Sequence, residues 1–271
     1  YVDGKVPAHV LRRCGVVAAG RNRSRDVVMD ECERAIRVLS QDAPTVVATD
    51  DCAACCDLRL VEMTGARYHV AHISTKEAVA AIRLAKSRGL PVSCDTAPHY
   101  FSLTEMDVAD YRTFAKVSPP LRTDEDREAI VAGISDGTID AIASDHMPED
   151  VDSKRLPFAQ AATGVIGIET MLPIALNLYH QEHIGLADLL ATMTSNPARL
   201  LGLKAGTLGI GAAADFVIID PDHAWRIEAE KLHSKSKNSA FDRRPVLGRV
   251  EKTVIDGRLV YDRLNELSAA A

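Results

Sequence analysis

No stretch of this sequence approaches the roughly 18–20 consecutive apolar residues of a membrane-spanning helix, and none reads as a secretory signal. Basic runs are missing too. The formal net charge is −6, which argues against a surface that coats nucleic acid. No internal repeat or low-complexity tract stands out. Cysteine is sparse: Cys14, Cys32, Cys52, Cys55, Cys56 and Cys94 do not form the dense framework of a small secreted domain, so a reducing cytoplasm is the expected setting. Cys52-Ala53-Ala54-Cys55 has zinc-knuckle spacing, but no second pair completes a tetrahedral site, and free thiols are expected there. An initiator methionine is also lacking. The chain starts at Tyr1, which reads as a fragment or a processed product.

What is present is a globular composition. The 271 residues are 46% hydrophobic and 26% charged, enough for a large core. The most informative stretch is Tyr68-His69-Val70-Ala71-His72-Ile73-Ser74-Thr75. Alternation predicts a short strand with Tyr68, Val70 and His72 on one face and His69, Ala71 and Ile73 on the other. Thr75 is a suitable N-cap, Glu77 lies in the first turn, and Ala78, Ala81, Ile82 and Ala85 follow at helical spacing. Gly89 stops that helix and Pro91 opens a strand over 92–97. The device recurs: Thr123 and Asp126 form a capping-box-like start, Gly137 a stop, and a strand over 139–144 ends in Asp145-His146. A histidine and an aspartate are thus both delivered at carboxyl ends of strands, where parallel α/β proteins gather ligands and catalytic groups.

The rest of the chain is read in order. Residues 1–55 are the least legible: a helix over 27–39 and a strand over 43–48 are predicted, and Asp50-Asp51 serve as turn or cap residues or as ligands. A helix is predicted over 58–63 and a strand over 114–117, followed by an extended loop at Pro119-Pro120. Residues 148–154 read as polar loop, and helices are predicted over 168–180, 186–193 and 197–203. His99, in Pro98-His99-Tyr100, is open between ligand, substrate contact and structural histidine. From Gly206 the periodicity changes to strands over 214–220, 250–255 and 258–261, with Asp256-Gly257 as a two-residue hairpin turn and 234–239 as polar loop. Three segments result: 1–55 unassigned, 56–203 as barrel-like strand–helix units, and 204–271 as a β-rich extension.

A neutral imidazole and a carboxylate at strand ends suit a divalent metal such as zinc, and a carboxylate there can move a proton between water and a leaving nitrogen. Several motifs then occur in one order: Tyr68–Thr75, Lys116-Val117-Ser118-Pro119-Pro120-Leu121-Arg122, Asp136-Gly137-Thr138-Ile139-Asp140, Ser144-Asp145-His146-Met147-Pro148, Gly167-Ile168-Glu169-Thr170, Asn196-Pro197-Ala198 and Ala214-Asp215. Together they resemble dihydroorotase of the amidohydrolase superfamily, class I type, over roughly residues 56–265.

The resemblance implies an α/β fold: a (β/α) TIM-like metal-dependent hydrolase barrel, of which only the C-terminal half is present, with a small β-rich extension. It implies reversible hydrolysis of dihydroorotate to N-carbamoyl-aspartate in pyrimidine synthesis. One or two Zn2+ ions would activate hydroxide, with Asp145 as general base and acid. By position, His72 and Asp145 are implied as metal ligands, and Ser118, Glu149, Thr163 and Gly164 as substrate contacts. Ser118 stands where the family usually has asparagine, and Glu149 where it has histidine. His99 does not fall at a ligand position on this resemblance. The family's first-strand His-x-His pair and a further ligand histidine before His72 are missing, so this chain alone is expected to be inactive. Two alternatives are a hydantoinase or allantoinase, and a catalytically silent partner of aspartate transcarbamoylase. The partners expected are a small-molecule substrate and a second copy or aspartate transcarbamoylase, with no nucleic acid and no membrane.

Overall fold

The computed structural model describes residues 46–48 and 51–265. The predicted helix over 27–39 and the candidate ligand Asp50 lie outside them. Four parallel strands are laid side by side in chain order: β1 (Val46–Ala48), β2 (Tyr68–Val70), β3 (Val92–Thr96) and β4 (Ala141–Ile142). Helices form the connections: α1 (Asp51–Thr64) joins β1 to β2, and α2 (Lys76–Ser87) joins β2 to β3. Between β3 and β4 come the one-turn α3 (Pro98–Ser102) and α4 (Asp124–Ser135). This is the repeated β–α unit of a barrel, present as a partial barrel.

The caps work as the sequence predicts. Thr75 Oγ1 accepts the Ala78 amide, and Thr123 with Asp126 makes a reciprocal capping box. Asp126 Oδ1 also accepts the Lys76 amide at 2.9 Å, so the start of α4 is tied to the start of α2. Behind the sheet, Val79 and Ile82 of α2 and Ile130 and Ile134 of α4 are buried with Tyr68 and Val70. Further helices follow: α5 (Val151–Arg155), α6 (Ile168–His180), α7 (Leu186–Met193) and α8 (Ser195–Leu200).

Several predicted elements differ, the helix over 58–63 running instead from Asp51 to Thr64 and the strands over 214–220 and 250–255 being Phe216–Arg226 and Pro245–Ile255. The strand over 139–144 shrinks to Ala141–Ile142. The strand over 114–117 is instead a 3-10 turn at Thr113–Ala115, because no neighbouring strand offers a ladder there. Within the polar loop, Asp150 Oδ1 caps the Asp152 amide and starts α5. Helix 197–203 starts and stops earlier, at Ser195–Leu200.

Beyond the parallel sheet, β5 (Phe216–Arg226), β6 (Pro245–Ile255) and β7 (Arg258–Asp262) form an antiparallel sheet. Asp256 and Gly257 both have positive φ, 48° and 71°, the left-handed pair that a two-residue hairpin requires. This sheet packs on α6 through Leu176 and Gly248, and Trp225 Nε1 donates to Gly248 O at 2.9 Å. Among the described residues, no helix is long and apolar enough to cross a membrane.

Candidate metal and catalytic site

The site forms where β2, β3 and β4 end. Strict alternation would send His72 to the helix side with Tyr68 and Val70. The strand ends at Val70, however, and His72 adopts φ +57°, a left-handed conformation that reverses its side chain. His69 and His72 therefore both meet Asp95 of β3, which the register places one step beyond the partners of β2. Asp95 Oδ2 lies 2.8 Å from His69 Nε2, and Asp95 Oδ1 accepts the His72 amide at 2.8 Å. His69 Nδ1 reaches Ser93 Oγ at 2.8 Å. Burial by itself would raise the Asp95 carboxyl, but the two histidines outweigh it and hold Asp95 down at about 2.

Asp145 follows β4 and also has a left-handed backbone, φ +41°. Its Oδ1 is 3.7 Å from His72 Nε2, and its Oδ2 is 3.3 Å from His99 Nε2. His99 is 1% exposed, packed edge-on against Tyr100. Burial dominates at His99 and lowers its pKa, favouring neutral imidazole. At His72 burial also pulls downward, yet Asp95 and Asp145 together raise the pKa. Burial pushes Asp145 upward, but His99 and His72 hold it below the usual carboxylate range, so it is ionised at neutral pH.

Two buried nitrogens here, His72 Nδ1 and His99 Nε2, have no hydrogen-bond partner. His72 Nδ1 lies 3.0 Å from Asp95 Oδ1, within ion-pair range but not aligned as a hydrogen bond. Orphaned buried imidazole nitrogens beside an ionised carboxylate have the donor chemistry of a divalent-cation centre. A second trio of ligand type, Asp220, His223 and Glu251, stands on the antiparallel sheet, but Arg263 Nε already binds both Glu251 oxygens at 2.8 and 2.9 Å.

Of the expected substrate contacts, Gly164 and Glu149 stand against the segment that follows Asp145. Gly164 is buried with φ +124°, and a Cβ there would lie 2.7 Å from Met147 Cβ, so only glycine lets this loop close on the segment after Asp145. Thr163 precedes it and Glu149 is adjacent, its Cγ 3.6 Å from the same Cβ position. Ser118 is exposed on its loop. His146 does not turn toward Asp145. Its Nδ1 accepts the Gly167 amide at 3.1 Å and thereby fixes the start of α6.

Sequence reasoning missed Asp95 and His69, left His99 open on residue type and set it outside the ligand positions on the resemblance, whereas the structure puts it beside Asp145. The available signal was a lone acidic residue in Val92-Ser93-Cys94-Asp95-Thr96, beside a strand carrying two histidines.

Two imidazoles and a carboxylate at the carboxyl ends of parallel strands are what a metal-dependent α/β hydrolase presents, and the sequence agrees: residues 31–260 match the amidohydrolase family, to which the chain belongs. Among curated proteins it is 50% identical to the dihydroorotase of Geotalea daltonii over 216 residues, covering 80% of this chain and 51% of that protein. It is 48% identical to the dihydroorotase of Geobacter sp. strain M21, covering 79% of this chain and 50% of the other. The chain thus spans about half the length of the curated relatives it matches. Among solved structures, the L-hydantoinase of Arthrobacter aurescens superposes with a TM-score of 0.75 at 32% identity, over 79% of this chain and 49% of that one.

Proposed function

We propose that this chain supplies one side of the catalytic centre of a cyclic amide hydrolase, with dihydroorotate and N-carbamoyl-aspartate as the reacting pair. The observation that carries the reading is the Asp145 carboxylate, kept ionised between His72 and His99. Similarity near 50% to dihydroorotases favours that ring over the hydantoin ring of the structural relative at 32% identity.

His72, His99 and Asp145 are the residues that would hold a cation, and their donor set fits zinc. Such an ion, when bound, polarises a carbonyl and makes water nucleophilic at neutral pH. The chain's own residues do the rest. Asp145 takes a proton as water oxygen adds to the ring carbonyl carbon, then returns it to the ring nitrogen as the C–N bond breaks. Asp95 carries no proton in this scheme. It fixes the backbone and ring of His72 through its short contacts to that residue and through His69. Glu149, Ser118, Thr163 and Gly164 are the substrate-facing groups.

The test is zinc stoichiometry and dihydroorotate turnover of the chain and of Asp145→Asn. Wild type should bind zinc, and turnover is expected once the other side of the centre is supplied. The variant should fold, as read by circular dichroism, and lose turnover by about 100-fold or more. An Asp145→Asn protein with undiminished turnover, or a wild type without zinc affinity, would overturn the reading.

A further inference from the structure

The connection between β5 and β6 reads in the sequence as a solvated polar loop, Ser234-Lys235-Ser236-Lys237-Asn238-Ser239. The structure buries part of it: Asn238 is 2% exposed and Ser239 is fully buried. Asn238 turns its side chain toward the 147–149 and 158–164 stretches. Its Nδ2 donates to Met147 O and to Gly164 O, both at 3.0 Å. Its Oδ1 accepts Ser236 Oγ and the Glu149 amide, the latter at 3.5 Å. Two carbonyl oxygens, which cannot donate, on one end and the Glu149 amide on the other settle which end of the amide is nitrogen. Ser236 Oγ also contacts Glu149 O, and the Ile166 amide donates to the Asn238 carbonyl at 3.2 Å.

The loop so gripped is held from the other side by two ammonium groups. Lys116 Nζ donates to Phe158 O at 2.7 Å and Ala161 O at 2.6 Å, and Lys154 Nζ to Ala162 O and Gly164 O, both at 2.9 Å. The carbonyls of Phe158, Ala161, Ala162 and Gly164 thus meet lysine donors, and Gly164 O is shared by Lys154 and Asn238. Asn238 bridges this loop to the Met147–Glu149 segment that follows Asp145, beside the Met147 amide that donates to Val165 O at 2.8 Å.

We propose that Asn238 is a positioning residue that sets the spacing of Gly164 and Glu149, and so the width of the substrate opening beside Asp145. The latch is a statement about these loops. Its effect on substrate rests on the hydrolase reading. A side chain with two donors and an acceptor is required, so an isosteric carboxylate fails: it would face two carbonyl oxygens with no proton to give.

Amide hydrogen exchange and steady-state kinetics of the full chain with zinc test this on Asn238→Asp, with Ser236→Ala as a milder variant should the first not fold. Exchange of the 147–149 and 158–165 amides should accelerate about tenfold in Asn238→Asp and about threefold in Ser236→Ala, with α6 unchanged. Dihydroorotate KM should rise about tenfold while kcat moves less than threefold, the signature of lost ground-state positioning. Unchanged exchange in a folded variant overturns the latch, and faster exchange with an unaltered KM overturns the positioning role. A wild type without zinc affinity overturns the hydrolase reading, and where the chain by itself has no turnover, exchange alone, which needs no substrate, decides the latch.

Discussion

Lys154 is 1% exposed, yet among the described residues no carboxylate oxygen meets its ammonium at ion-pair distance; two carbonyls accept from it. Burial pulls its pKa down to about 8 from 10.5, Glu149 opposes this and Lys116 adds to it. The folded chain thus binds fewer protons than the unfolded chain between pH 8 and 10.5, so stability must rise with pH across that window. A shift of roughly 2.5 units corresponds to at most about 3.4 kcal/mol. A cavity of about 690 Å3 runs along Lys154 beside Glu149, Lys237 and Asp242 and admits water, which reduces the realised amount to about 1–2 kcal/mol. The measurement is urea denaturation of wild type and Lys154→Met at intervals from pH 7.5 to 10.5, since other groups titrate in both proteins alike. The stability difference, wild type minus variant, should grow by about 1–2 kcal/mol over that range. A difference flat within 0.3 kcal/mol would show that the ammonium is as well solvated in the fold as in water, and the reasoning about its burial would be wrong.

Two further predictions concern packing. A Cβ at Gly167 would sit 1.9 Å from Ser144 O, so Gly167→Ala should cost about 3 kcal/mol and displace Asp145, the next residue, lowering zinc affinity with it. A cost below 1 kcal/mol in denaturant melts would mean that this contact relaxes freely. In the antiparallel sheet, Phe216, Val254 and Leu259 form one cross-strand row, with Phe216 39% and Leu259 53% exposed. Phe216→Thr with Leu259→Thr should therefore reduce dye binding to apolar surface and concentration-dependent association, with stability changed by about 0.5 kcal/mol or less per site. Sedimentation that is identical for the two proteins would refute this.

The local code was legible wherever a single residue type dictates a backbone event. Thr75 and Thr123 announced α2 and α4, Gly89 and Gly137 their ends, Asp256-Gly257 the hairpin, and the apolar run opening at Ile168 the whole of α6. The delivery of His72 and Asp145 at strand ends followed from the same cues. Each depends on residues within one or two helical turns, which a linear reading can weigh.

What tertiary structure alone decided is how those ends meet. Alternation placed His72 opposite His69, and a left-handed φ brought both to Asp95. His99 became part of the site because β3 ends beside β4, and Asn238 bonds Met147 and Gly164 because the β5–β6 connection folds back onto loops about 75 and 90 residues earlier. The sequence by itself determined most of the strands and helices and which chemical groups they carry, since propensity and capping act locally. Which of those groups share a site was decided by strand register and by backbone reversals at single residues, which only long-range packing selects.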